Sequence, residues 1–306
     1  MSVDIDQTVS SKKDVSAVDV VMICDTMNEI DDQLAISYAL GSEKVNVLGV
    51  ISCQNTLVHG PNSTTIYKEE ADRILSLADR SQTPSLKGAQ FPMEHKSHGQ
   101  NSEGLEFIVD LANSGTPFSI LATGPATDVA ALQLLHPEIA NAIPVIWAGS
   151  FPDEVTWKKF KYGELNARAD IHSWRVVYEE VKNLVVLPGW PGVAKVAVDP
   201  DSFVKELREL NHPLTDYLAE ISEKWGAGKV KLDMDAGRKQ KVLWDIVNVA
   251  YYAVPDAVTC EINPIPYVDA AGSMYWHQIM RNVPICLDTK PNMILEDLWK
   301  SLKSLI

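Results

Sequence analysis

Residues 18–40 read VDVVMICDTMNEIDDQLAISYAL, and the organisation of the whole chain can be worked out from them. The first seven residues are mostly apolar, which is typical of a strand buried on both faces, and a helix is predicted from Asp31 to a stop at Gly41. Between strand and helix, four carboxylates fall within eight positions: Asp25, Glu29, Asp31 and Asp32. In open α/β sheets, ligands bind where a strand's carboxyl end meets the next helix. The sequence therefore predicts an acidic ligand site in this loop.

The crowding of carboxylates in this loop favours a bound cation. Like charges so close together would each tend to take up a proton unless a cation keeps them ionised. Hard oxygen ligands suit Ca²⁺ or Mg²⁺, and no Cys-x-x-Cys or His-x-x-x-His spacing indicates zinc. The alternative is a structural role for these acids. The negative charges of Asp31 and Asp32 would interact favourably with the helix dipole, and Asp25 would cap a turn.

Composition narrows the class of protein. At 306 residues and 33.8 kDa, with no Ser-, Gly- or Pro-rich linker, the chain is predicted to form one domain over residues 17–306 after a flexible tail of residues 1–16. A net charge of −14 without a basic stripe argues against a nucleic acid polymer as partner. There is no apolar run of membrane-spanning length, no secretory core at the N-terminus and no paired cysteine spacing, so a cytoplasmic protein is expected.

Apolar strands alternate with helical segments along most of the chain, which predicts an α/β fold with an open, mostly parallel sheet and helices on both faces. Further strands are predicted at 45–52, 118–123, 144–148, 183–188, 258–262 and 274–280. Helices are predicted at 63–78, 171–181, 242–252 and 291–305, with two more between 200 and 226 that break at His212 and Pro213. The charged segment 229–241 is predicted to be a mobile surface loop near the ligand site.

The segment from Asn28 to Gln33, Asn-Glu-Ile-Asp-Asp-Gln, resembles a variant of the signature of the inosine-uridine type nucleoside hydrolases. In that signature a strand ends in Asp-x-Asp and an Asp-Asp pair opens a helix. Asp25 is matched to the second Asp, which leaves Ile23 in place of the first. Similar segments follow in the family's order: Asn55, Gly124-Pro125-Ala126-Thr127-Asp128, Glu164-Leu165-Asn166 and Trp244-Asp245.

The resemblance implies a single-domain nucleoside hydrolase fold and Ca²⁺-dependent hydrolysis of the N-glycosidic bond in a ribonucleoside or a similar compound. It also implies a homo-oligomer, either a dimer or a tetramer. The implied metal ligands are Asp25, Asp32, the Thr123 carbonyl and Asp245. Asp25 would also take the proton of the attacking water, and the implied sugar contacts are Asp31, Asn55, Glu164 and Asn166.

The sequence around Asp245 predicts a role for this residue even apart from the resemblance. A carboxylate in an otherwise apolar helical run costs several kcal/mol unless it is paired or binds a metal. A ligand role for Asp245 is therefore predicted from the residues themselves.

The leaving group is where the chain departs most from the family, because Trp244 stands where a His is common. A neutral indole cannot donate a full proton. The departing base is expected either to stack on Trp244 or Trp157, or to receive a proton from His98 or His277. A third alternative is a leaving group that needs no protonation. His98 belongs to an irregular segment similar to the family's loop over the substrate. Core packing is the expected role of Trp147.

Two other functions stay open at this point. Ile23, Lys158 and Trp244 replace residues that are usual in the family, which would also suit a ligand-binding, catalytically weak protein of the same fold. A Mg²⁺-dependent phosphatase of the α/β class is the other alternative. The chain lacks its usual Asp-x-Asp nucleophile and has no Lys or Arg placed for phosphate.

Overall fold

The computed structural model describes residues 17–229 and 240–306, so the predicted tail and most of the predicted surface loop lie outside the described residues. The strands are β1 (Val18–Cys24), β2 (Val45–Ser52), β3 (Ser85–Lys87), β4 (Ser119–Ala122), β5 (Val145–Ala148), β6 (Leu184–Leu187), β7 (Ala197–Val198), β8 (Lys241–Val242), β9 (Val258–Val268) and β10 (Met274–Thr289). The helices are α1 (Asp31–Gly41), α2 (Thr56–His59), α3 (Ser63–Leu77), α4 (Glu103–Asn113), α5 (Thr127–Leu135), α6 (Pro137–Ala140), α7 (Glu154–Phe160), α8 (Asn166–Ala169), α9 (Ile171–Glu180), α10 (Pro200–Glu209), α11 (Pro213–Lys229), α12 (Ile246–Ala253) and α13 (Pro291–Ser304).

Eight strands form one sheet in the order β3-β2-β1-β4-β5-β6-β10-β9. All neighbouring pairs are parallel except β9 and β10, which form an antiparallel hairpin at one edge. The short strands β7 and β8 pair antiparallel outside this sheet. The predicted mostly parallel sheet is confirmed, while β3 was not predicted and β9 and β10 are longer than predicted.

Strand β1 divides the hydrophobic core into two layers. Val20 and Met22 pack with helices α1, α12 and α13, whereas Val21 and Ile23 pack with helices α4, α5 and α9. All four side chains are fully buried, because successive residues of a strand point to opposite faces and both faces are covered by helices. Burying each of them contributes roughly 1.5–3 kcal/mol. This explains why β1 has an almost continuous apolar sequence.

The direction of the chain across the sheet reverses beside β1. The chain runs outward from β1 to β2 and β3, then returns to place β4 on the other side of β1. Such a reversal leaves a crevice at the carboxyl ends of the two strands. Asp25 follows β1 and Thr123 follows β4, so the topology places both at this crevice.

The predicted helix over residues 242–252 begins later than expected. Lys241 and Val242 instead pair with β7, and helix α12 starts at Ile246. Asp245 is therefore the residue that precedes the first turn of α12 and does not lie within a helix. Its side chain is still only 7% exposed, so the cost of burying a lone carboxylate applies at its actual position.

Candidate active site

A cavity of about 410 Å³ opens at the carboxyl ends of the parallel strands. Its polar lining comes from segments far apart in the sequence: Asp25, Asn28, Glu29, Asp31, Asp32, Thr123, Glu164, Asn166 and Asp245. Its size and position are those of a small-molecule site. The structure thus brings together nearly all of the predicted ligand residues.

Asp25 lies at the centre of this acidic wall. Asn55 donates a 2.7 Å hydrogen bond from Nδ2 to Oδ2 of Asp25, and the Asp25 and Asp32 carboxyl groups affect each other's pKa. Burial raises the pKa of Asp25 to about 7, against the hydrogen bond from Asn55, which lowers it. A Cβ on Gly124 would lie 2.9 Å from Oδ1 of Asp25, so the close approach of the β4–α5 turn requires glycine there.

Asp32 and Asp245 complete the carboxylate cluster. Thr123 Oγ1 donates a 2.6 Å hydrogen bond to Oδ1 of Asp32. Burial raises the pKa of Asp32 well above its usual range, and the charges of Asp25 and Asp31 raise it further. Burial likewise raises the pKa of Asp245, followed by the charges of Asp32, Asp31 and Asp25. The acids that follow β1 and the distant Asp245 therefore act on one another electrostatically.

Asn166 and Glu164 hold the other side of the cavity. Nδ2 of Asn166 donates to the carbonyls of Thr123 (2.6 Å) and Ala148 (2.9 Å). Both amide hydrogens are therefore used, and Asn166 can offer a ligand only its Oδ1 as an acceptor. Oε2 of Glu164 accepts the Ala167 N–H at 2.8 Å, and burial raises the pKa of Glu164 to about 7.

The oxygen donors of this cluster are of the kind that binds a divalent cation. Within residues 17–229 and 240–306, no three His, Cys, Asp or Glu side chains form a ready-made metal cage. The available donors are nevertheless all hard oxygens, and buried carboxylates repel one another unless a cation offsets their charge. The buried Oδ1 of Asn55, on the side chain that holds Asp25, also has no hydrogen-bond partner. The residues therefore fit Ca²⁺ or Mg²⁺ in their chemistry.

A buried lysine lies beside the acidic wall and was not predicted. Lys241 is 1% exposed; its Nζ forms an ion pair with Glu29 and lies 3.6 Å from Oδ2 of Asp31. The prediction that residue 241 belongs to a mobile surface loop is wrong, because its ammonium group is enclosed by these carboxylates and by the Trp225 ring, 4.5 Å away.

The cavity also has an aromatic wall. It contains Trp190, Trp244 and Tyr162, and the rings of Trp190 and Trp244 lie 5.2 Å apart at 59°. Phe160 stacks on the outer face of Trp190, with 4.3 Å between ring centroids. Only Trp244 of this group was predicted. The signal for Trp190 was present in the sequence, since it follows the carboxyl end of β6 by three residues.

A family model for the inosine-uridine preferring nucleoside hydrolases matches residues 20–292. The chain belongs to this family. It is therefore a hydrolase that acts on the N-glycosyl bond of ribonucleosides. This assignment favours the predicted enzyme over the binding-protein and phosphatase alternatives.

Relatives of this nucleoside hydrolase include a pyrimidine-specific ribonucleoside hydrolase, RihA, from Salmonella arizonae. It is 25% identical over 243 residues, which are 69% of this chain and 75% of the relative. Similar solved structures are a purine-preferring ribonucleoside hydrolase from Gardnerella vaginalis (TM-score 0.73, 18% identity) and an inosine-guanosine nucleoside hydrolase (TM-score 0.74, 15% identity). The alignments cover 94% and 93% of this chain and 98% of each structure, which confirms the predicted fold.

His98 does not line the cavity of the hydrolase. It is exposed, and its backbone N–H donates to the carbonyl of His95. Its segment is held in place by two buried carboxylates: Asp128 accepts the Ala89 N–H, and Asp170 accepts the Met93 N–H. The proposed roles of His98 in proton donation and in a loop over the substrate gain no support from its position.

The remaining predicted side chains also lie elsewhere. Trp157 packs against the core on the α5 side of the sheet, and His277 is exposed on β10; neither lines the cavity. Trp147 is fully buried and donates to the Gly124 carbonyl at 3.1 Å, which confirms its core role. Asn55 is fully buried behind Asp25 and contacts the carboxylate, not the cavity. Among the helices in the described parts of the chain, none has the length and apolarity needed to cross a bilayer.

Proposed function

We propose that this hydrolase depends on Ca²⁺ and releases ribose from a nucleoside whose flat base stacks on the aromatic wall. The observation that carries the proposal is the meeting of buried carboxylates from both ends of the chain at one cavity. Asp25 comes from the β1–α1 loop, Asp32 from the first turn of α1, and Asp245 from the turn before α12.

The cation would be held by Asp25, Asp32, Asp245 and the Thr123 carbonyl. Asn166 already donates to that carbonyl, so a cation would use its second lone pair. When bound, Ca²⁺ would offset the charge of the carboxylates and make a nearby water molecule more acidic.

Asp25 is the side chain placed to accept the proton of the attacking water. Asn55 fixes its Oδ2, and its carboxyl group faces the cavity. A general base must be held within hydrogen-bond reach of the proton that it removes. Asn55 therefore acts by positioning Asp25.

The sugar is bound by acceptors in the cavity wall. Asp31, Glu164 and Oδ1 of Asn166 line the cavity as acceptors from separate segments of the chain. Carboxylate and amide oxygens accept hydrogen bonds from vicinal hydroxyls. The same carboxylates favour the positive charge that develops on the ribosyl ring as the glycosidic bond breaks.

The base is bound by stacking. Trp244 and Trp190 offer flat, partly tilted faces, and no histidine of the described residues lines the cavity. An indole that stacks on an aromatic base binds it without reading its hydrogen-bonding pattern. The family relatives differ in base preference, which agrees with a base pocket that varies from member to member.

The test is a panel of purine and pyrimidine ribonucleosides scored for free reducing sugar, after metal removal and after return of Ca²⁺, Mg²⁺ or Zn²⁺. Asp32→Asn should lower kcat at least about 100-fold because it removes a proposed ligand. Asp201→Asn is the matched control, since Asp201 also lies in the first turn of a helix but is exposed on α10. Full activity of Asp32→Asn, or full activity without a divalent cation, would refute the proposed mechanism.

We also propose a cytoplasmic homo-oligomer. The four cysteines are free thiols, which agrees with a reducing compartment. The β9–β10 hairpin at the sheet edge exposes apolar side chains, with Ile262 68%, Ile279 49% and Met280 42% exposed. A second copy of the chain would cover them, and light scattering of the purified protein would show its mass.

A further inference from the structure

Lys241 joins two segments that both line the active-site cavity. It lies on β8, directly before the turn that carries Trp244 and Asp245. Its ammonium group contacts Glu29 and Asp31 of the first loop. The backbone N–H of Trp244 also donates to Oδ2 of Asp31, at 3.1 Å. Two interactions therefore tie the first loop to this turn.

These contacts divide the acidic wall into two halves. Asp25 accepts a hydrogen bond from Asn55, and Asp32 accepts one from Thr123, so these hydrogen bonds of two proposed cation ligands do not involve Lys241. The charge of Lys241 also acts on Asp245, the third proposed carboxylate ligand. Asp31 and Glu29 form the other half: both carboxylates contact Lys241, and Asp31 also accepts the Trp244 backbone N–H. Lys241 thus acts on the half proposed to bind the sugar.

Lys241 is buried, and the cost of burying its charge argues for a specific role. An ammonium group that is almost fully buried costs several kcal/mol of desolvation unless close partners offset it. Here two carboxylates and the Trp225 ring surround it. A lysine that served only to link two surface segments would not need this burial, since an exposed ion pair does the same at no desolvation cost.

We infer that Lys241 is a positioning residue for substrate binding: its ammonium group fixes the Asp31 and Glu29 carboxylates as sugar acceptors and sets the Trp244 indole against them. This inference rests on the proposed function, because it takes Asp31 as a sugar contact. It assigns Lys241 no contact with the reacting atoms. Its effect should therefore appear in KM and not in kcat.

The experiment compares Lys241→Met, Lys241→Arg and the control Lys300→Met. Lys300 forms an exposed ion pair with Glu43, so its removal tests the loss of a lysine ion pair outside the cavity. Lys241→Met should raise KM at least about tenfold, which corresponds to about 1.4 kcal/mol, and should change kcat less than about threefold. Lys241→Arg should restore most of the KM, and Lys300→Met should match the wild type.

Binding of ribose, measured by titration calorimetry with Ca²⁺ present, separates this inference from the proposed function. If the wild type binds ribose but cleaves no nucleoside, the proposed hydrolysis fails. Weaker ribose binding by Lys241→Met would then still support the inference. An unchanged KM and unchanged ribose affinity in Lys241→Met would overturn it, as would equal losses in kcat and kcat/KM. Failure of Lys241→Arg to restore binding would also overturn it, and this variant keeps the buried charge if Lys241→Met does not fold.

Discussion

Replacing Asp128 by Asn should stabilise the protein at neutral pH while leaving it unaffected at acid pH. Asp128 is fully buried outside the cavity. Its Oδ1 accepts hydrogen bonds from the Ala89 N–H (2.8 Å) and from Ser102 Oγ (3.1 Å), whereas its Oδ2 has no partner. An Asn can keep both hydrogen bonds through its own Oδ1 and carries no charge to bury.

The size of the effect follows from the pKa of Asp128. Burial raises this pKa to about 6 from its ordinary value of 3.8, so the folded state binds the proton more tightly than the unfolded state does. The stabilisation from the protonated group is complete below the unfolded pKa and is lost as the pH rises to the folded pKa. Between pH 4.5 and 7.5 the loss amounts to about 2 kcal/mol.

The assay is urea unfolding of the wild type and Asp128→Asn at pH 4.5 and pH 7.5. Groups that do not interact with Asp128 titrate equally in both proteins, so the change in the difference between them reports Asp128 and its interaction with Asp170. The difference in unfolding free energy should move in favour of Asp128→Asn by about 2 kcal/mol between the two pH values. Asp110→Asn, on the exposed side of α4, should show no such change. An equal difference at both pH values would refute the argument, and so would a loss of ribose release in Asp128→Asn.

Two further outcomes are expected. Trp190→Ala should raise the KM for nucleosides about tenfold and leave the inhibition constant of ribose unchanged, since stacking acts on the base alone. The control is Trp299→Ala, on helix α13, which should change neither the KM nor the inhibition constant. The second outcome concerns Cys260 and Cys286, which are directly opposite each other on β9 and β10, with each thiol affecting the pKa of the other. A small disulfide reagent should therefore oxidise this pair to one cross-strand disulfide. Thiol counting should then fall from four to two, with Cys24 and Cys53 unchanged, and Cys260→Ser should prevent the change.

The sequence predicts structure best where a local pattern of residues has a single physical cause. A strand covered on both faces must be apolar at nearly every position, which made β1 recognisable. Acids at the carboxyl end of such a strand indicate a ligand site, because parallel strands end at one edge. Asp245 was found for a similar reason, as a carboxylate among apolar residues that needs a partner.

Other features depended on which distant segments come into contact. Lys241 stands in a charged stretch that looks exposed, and only the pairing of β8 with β7 turns it toward Asp31. The amide of Asn166 looked free to bind a sugar until the ends of β4 and β5 supplied two carbonyls for its hydrogens. His98 looked suited to the cavity, yet its segment is held elsewhere. Periodicity reports which face of an element is buried, but the partner of each polar group is decided by the packing of one element against another.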